Sequence, residues 1–130
     1  QIFDPEGNFL STFGSEGNEN GQFDNPNAIA INSKGNIIVG EYFNNRIQIF
    51  NSQGVSLSTF GLKGTDPKGM CVDLDDNILI CNYEDDKIDI FNSSGIYLMQ
   101  WKVQNPGALV IDPRTQDIIV CGNEKKVSIY

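Results

Sequence analysis

Residues 25–50 read NPNAIAINSKGNIIVGEYFNNRIQIF, and this stretch decides the fold because the chain repeats it. Residues 66–91, DPKGMCVDLDDNILICNYEDDKIDIF, and residues 105–130, NPGALVIDPRTQDIIVCGNEKKVSIY, align with it over 26 positions without a net gap. The copies begin at 25, 66 and 105, so the period is 41 and then 39 residues. A period of about 40 residues suits a propeller blade of four strands.

Each copy follows one physical plan. An Asn/Asp-Pro pair opens it, at Pro26, Pro67 and Pro106. Proline fixes φ and pushes the residue before it to an extended shape, which suits the start of a strand. A short strand that is apolar on both faces follows, such as Ala28–Ile31 or Leu109–Ile111. After a polar turn comes a second apolar strand, Ile37–Val39, Ile78–Ile80 or Ile118–Val120. The third strand alternates apolar and polar residues, as in Arg46-Ile47-Gln48-Ile49-Phe50, the mark of a half-exposed strand. Burial is expected to fall from the first strand, at the central channel, to the fourth, at the rim.

Outside these 26-residue units the same frame continues. Turns at 51–54 and 92–95 carry glycine where φ > 0 is needed, and strands Val55–Phe60 and Ile96–Trp101 follow them. At the N-terminus, Ile2 to Asn8 matches the end of a third strand and its turn, and Phe9–Phe13 a fourth strand. The expected fold is therefore all-β: four-stranded antiparallel propeller blades, about three of them. Residues 1–13 supply strands c and d of a preceding blade, 25–60 and 66–101 are full blades, and 105–130 lacks its last strand. The third copy is the least regular. Its first turn, Asp112 to Gln116, is one residue longer than its counterparts, and the loop Gly122–Lys125 one shorter.

Composition narrows the function classes. The net charge is −8, so most of the surface repels a phosphate backbone. There is no histidine, which removes Ser-His-Asp and Cys-His catalysis and most zinc sites built within this chain. Three cysteines, Cys71, Cys81 and Cys121, form no paired spacing and lead to the expectation of reduced, buried thiols in the cytoplasm. No apolar run approaches the ~20 residues of a membrane helix, so no membrane partner is expected. The chain starts with Gln1, and a piece of something longer is the expectation.

The residues then point to a family. The segment Val39 to Phe50, VGEYFNNRIQIF, resembles the VAD-x-x-N-x-RI-Q-V-F core of NHL repeats, with Glu41 in place of Asp. Phe13 to Gly17 and Gly21 to Pro26 resemble the linker between NHL blades. The second copy departs at Asp85-Asp86-Lys87-Ile88, and the third keeps the hydrophobic skeleton with Lys126-Val127. The resemblance is to the C-terminal propellers of TRIM-NHL proteins, and it implies a six-bladed ring, of which this chain is part. The ring would be completed by remaining blades of a longer chain or by a second copy.

Candidate sites follow from positions that differ between copies. Tyr42, Phe43, Asn44 and Asn45 place two aromatics in an inter-strand loop, as a binding hot spot or a stacking platform would. Tyr83, Glu84 and Asp85 stand at the equivalent place in the second copy, and Lys125 in the third. Arg46, Lys87 and Lys126 recur at one blade position, which reads as a structural polar contact between neighbouring blades. Asp73 to Asn77 has a superficial calcium-loop look but occupies the frame of the ordinary turn Asn32–Asn36, so no metal and no cofactor is expected.

The expected function is a non-catalytic platform for a protein partner. Through the resemblance, that is the substrate-choosing part of a TRIM-NHL-like E3 ubiquitin ligase. RNA binding in post-transcriptional regulation is the alternative, disfavoured by the net charge. A fragment of a propeller enzyme such as an amidating lyase stands third, because that chemistry uses histidine-bound metal.

Overall fold

The computed structural model describes residues 1–62, 64, 66–122 and 127–130. They form strands and turns, with no helix among them. β1 (Ile2–Phe3) and β2 (Phe9–Ser11) make a hairpin, and β3 (Ser15–Glu16) and β4 (Gln22–Phe23) a short parallel pair. β5 (Pro26–Ile31), β6 (Ile37–Glu41), β7 (Arg46–Phe50) and β8 (Ser56–Gly61) form one four-stranded sheet. β9 (Pro67–Val72), β10 (Ile78–Asn82), β11 (Lys87–Phe91) and β12 (Tyr97–Lys102) form another, and β13 (Pro106–Ile111), β14 (Ile118–Gly122) and β15 (Val127–Ile129) a third. Each of these sheets is antiparallel in chain order, and they stack face to face as blades.

The turns explain why the strands start and stop where they do. Asn32, Asn51, Asp73 and Asn92 each accept two backbone N–H bonds, from the residues two and four positions on. A short polar side chain thereby satisfies a turn the sheet cannot. Asp73 to Asn77 is such a turn: its carboxylate accepts from Asp75 N, Asn77 N and Asn77 Nδ2. The third blade's counterpart spans 112–117, six residues against five at 32–36, as the pairings Ile111–Ile118 and Ile31–Ile37 fix.

Strand alternation builds the core between blades. Ala28, Ile38, Ile47 and Ile49 of the first full blade meet Met70, Ile78, Ile80 and Phe91 of the second. Leu79, Cys81, Ile88 and Ile90 on the second blade's other face meet Leu109 and Val120 of the third. Each fully buried side chain of this size contributes about 1.5–3 kcal/mol. Where blades approach most closely only glycine fits: a Cβ on Gly69 would lie 2.7 Å from Ala108 Cα.

A second fastening lies at the rim. Phe13 packs on Gly54, in the turn between β7 and β8, and Phe60 packs on Gly95 in the same turn of the next blade. Both glycines have φ near +79°, and a Cβ would enter the ring beside it.

The structure corrects the expected burial gradient. The most buried strands are the middle two of each full blade; every residue of β6 and β10 is buried. β5 instead exposes Ile29 (66%) and Ile31 (64%). A first strand has one unpaired edge at the channel, and the face of β5 bearing these residues has no complete blade against it. Cys121 is exposed for a similar reason, since it alternates with the inward-facing Val120 and points to the open side of the third blade. Cys71 is half-buried and only Cys81 fully buried, so the expectation of buried thiols holds for Cys81 alone.

Candidate functional site

Loops between second and third strands share one end of the blades with the linkers that enter each first strand. This end carries the sequence candidates, and they divide into two groups.

The first group is a buried clamp. Glu41 and Arg46 face each other across β6 and β7, and their side chains meet at 2.7 Å. The fully buried Glu41 carboxylate also accepts from Asp24 N (2.9 Å), Asn44 Nδ2 (2.6 Å) and Gln48 Nε2 (2.7 Å). Burial alone would raise this carboxyl's pKa; the hydrogen bonds, Arg46's first, outweigh it and hold the group below its ordinary value. Arg46 then donates to the carbonyls of Asn18, Glu19 and Gln22, and Asn44 to that of Gly17. The linker 14–24, with its β3–β4 pair, is thus wrapped onto the blade by side chains.

The second blade repeats the clamp in weaker form. Lys87 lies 3.4 Å from both Asp85 and Asp89, and Asn82 donates to both carboxylates. Burial would lower the Lys87 pKa, but Asp89 and then Asp85 outweigh it and raise it. The linker here is short, spanning 62–66 between β8 and β9. Among the described residues, Asn82 Oδ1, Asp89 Oδ1 and Asp66 Oδ1 are buried and accept no hydrogen bond, Asp89 Oδ1 having only the 3.4 Å ionic contact with Lys87. These ion pairs run within a blade, not between neighbouring blades as expected: Glu41 and Arg46 sit on adjacent strands of one sheet, and Lys87 meets Asp89 on its own strand and Asp85 in the loop before it. Lys126 lies outside the described residues.

The second group is open. Tyr42 and Phe43 pack at 5.0 Å with their rings tilted by 54°, and Phe43 is 62% exposed. The Tyr42 hydroxyl donates to Glu84 Oε1 at 3.3 Å, across the gap to the next blade's loop. That carboxylate pushes the Tyr42 phenol above its ordinary pKa. Tyr42, Phe43, Asn45, Gly64 and Glu84 surround a depression of about 210 Å³. Backbone bonds fix the loop beneath: Asn25 O accepts from Tyr42 N, and Asn45 O from Leu62 N. Asn45 (φ 47°) and Asp86 (φ 54°) hold the left-handed conformation that Asn and Asp tolerate.

The structure therefore sorts the candidates. Tyr42, Phe43, Asn45 and Glu84 come together at the depression. Asn44 and Asp85 turn into the clamps, with Arg46 and Lys87. Tyr83 is half-buried, its N–H bonded to Asp66 O. Pro26, Pro67 and Pro106 begin β5, β9 and β13. Lys125 lies outside the described residues. Sequence reading missed Gly64, whose only signal is its place in a linker opposite the aromatic loop. Among the described residues no group of three or more metal-ligating side chains is gathered, and no helix could cross a membrane.

The stacked antiparallel blades define the class of protein: the chain is part of a β-propeller. Residues 23–50 match the NHL repeat. The clamp residues Glu41, Asn44, Arg46 and Gln48 all fall inside that match. Solved propellers superpose on most of the chain. Hydrazine synthase of Kuenenia stuttgartiensis does so at a TM-score of 0.69 and 14% identity, over 80% of this chain and 32% of that one. A gluconolactonase from Xanthomonas campestris gives 0.65 at 17%, over 78% and 36%. Regucalcin, a calcium-binding protein from Agrobacterium tumefaciens, gives 0.64 at 12%, over 76% and 38%. At such identities the likeness is one of fold, and this chain spans about a third of each structure's length. No curated protein matches the sequence.

Proposed function

We propose that this chain belongs to a non-catalytic, cytoplasmic recognition platform whose loop face binds a protein partner, as the substrate-choosing end of a TRIM-NHL-like ubiquitin ligase. The observation that carries the reading is Phe43. A large aromatic that is 62% exposed, braced by a neighbouring ring on a loop pinned at both ends, suits a binding anchor. Scaffold positions account for Asn44, Arg46 and Asp85 and leave the depression for recognition. Glu84, Asp85 and Asp86 on the same face favour a protein over RNA, because a nucleic acid would bring phosphates against them.

A photo-reactive phenylalanine analogue at position 43 tests this against one at position 94, in the turn at the opposite end of the second blade. Partner cross-links from 43 alone are expected in extracts of the source organism; cross-links from 94 alone, or from neither, overturn the reading. The ligase assignment rests on the resemblance, and the sequence upstream tests it. A RING, B-box and coiled coil there would support it, and a kinase or a signal peptide would remove it.

The open faces of the outer blades call for completion. Ile2, Phe3, Phe13, Phe23, Ile29 and Ile31 line an apolar groove of about 660 Å³ on one of them. Further blades of a longer chain, or a second copy, would cover it. A well-folded monomer of this segment in solution would exclude the second copy.

A further inference from the structure

We infer that the depression between Tyr42, Phe43 and Glu84 is a receptor for one cationic side chain, lysine or arginine, displayed by a protein partner. The inference rests on the reading of the loop face as a recognition surface and specifies what that surface takes.

Size comes first. Pockets for drug-sized ligands and cofactors run to about 300–1,000 Å³. This depression holds about 210 Å³ and is open to solvent, room for a single long side chain. Its walls come next. Two aromatic rings, packed on each other at a tilt of 54°, line it, and a cation is the group that aromatic π-faces attract beyond ordinary apolar contact. The third wall is a carboxylate. Tyr42 occupies one oxygen of Glu84 and so holds the group against the rings. An aromatic pair backed by a carboxylate is electrostatically wrong for an anion and wasteful for a purely apolar residue.

Described cations at this end of the blades are already engaged. Arg46, Lys68 and Lys87 each contact a carboxylate, at 2.7, 3.0 and 3.4 Å. Asp85 and Asp86 extend negative potential along the same rim, on a chain of net charge −8. Such a field raises the encounter rate with basic partners.

Panning a random peptide library on the chain tests the inference, with the Phe43→Ala variant used to discard peptides held elsewhere, including the apolar open faces. Peptides dependent on Phe43 are expected to share one lysine or arginine. Replacing that residue by norleucine, or making Glu84→Gln in the protein, is expected to weaken binding by about two- to five-fold, as for an exposed cation–π and carboxylate contact. The two changes together are expected to weaken it little further. Glu84 is exposed, so Glu84→Gln leaves the fold intact. Peptides that need Phe43 but share no cation overturn the receptor and leave the recognition face standing. No Phe43-dependent peptide at all removes both. Single-stranded RNA bound at low salt and lost in Phe43→Ala would reassign the face to base stacking.

Discussion

Replacing Arg46 by methionine keeps the aliphatic stem and removes the cation from the clamp. Glu41 would remain fully buried with its counter-ion gone, and the carbonyls of Asn18, Glu19 and Gln22 would lose their donor. The Arg46 side chain is itself only 13% exposed. Breaking a buried pair from one side costs about 3–5 kcal/mol, against about 0–1 for an exposed pair. A domain of 130 residues has roughly 6–20 kcal/mol in all, so the loss is a large share. Urea unfolding followed by the single tryptophan, Trp101, reads it directly. With a slope of about 2 kcal/mol per molar, the midpoint should fall by roughly 2 M. A fall under about 0.5 M would refute the reasoning, because the pair would then behave as if solvent screened it. The pH dependence supplies an independent check. Glu41 has a depressed folded pKa, so its stabilisation is present above the ordinary carboxylate value and is lost as pH falls through the folded value. Glu41→Gln should flatten that part of the stability profile.

Other outcomes follow from the same structure. Gly54→Ala should destabilise by about 1–3 kcal/mol in thermal unfolding, since φ is +79° and the added carbon would enter the Phe13 ring. At pH 8 a thiol reagent should modify Cys121 quickly and Cys71 and Cys81 only on unfolding, because burial pushes both of the latter up to about 12. Ile29→Lys should lower the binding of a hydrophobic dye to the isolated chain, since Ile29 is 66% exposed in the open groove.

What the sequence shows and what it hides have separate physical causes. Strand positions were legible because apolar spacing recurs three times, and every copy constrains the others. The polar turns were legible because Asn and Asp sit where a short side chain must satisfy the backbone. The exposure of Ile29 and Ile31 was not, since apolar spacing records which face is meant to be covered and is silent on what covers it. Nor was the destination of Asn44 and Asn45. Adjacent and identical, they diverge because one side chain reaches Glu41 while the other's backbone turns left-handed. The pairing of Tyr42 with Glu84 joins residues 42 positions apart and needs the blade spacing to be seen.

The rim contacts have a direction. Phe13 seats on Gly54 and Phe60 on Gly95, so the aromatic always precedes its glycine in the chain. During synthesis each blade's outer turn therefore emerges after the ring that will hold it. The fold can grow from its N-terminal side by adding one blade at a time to a surface already in place. A truncation from the C-terminus would remove only the newest blade, whereas a deletion that took Phe13 would unfasten the blade that follows it.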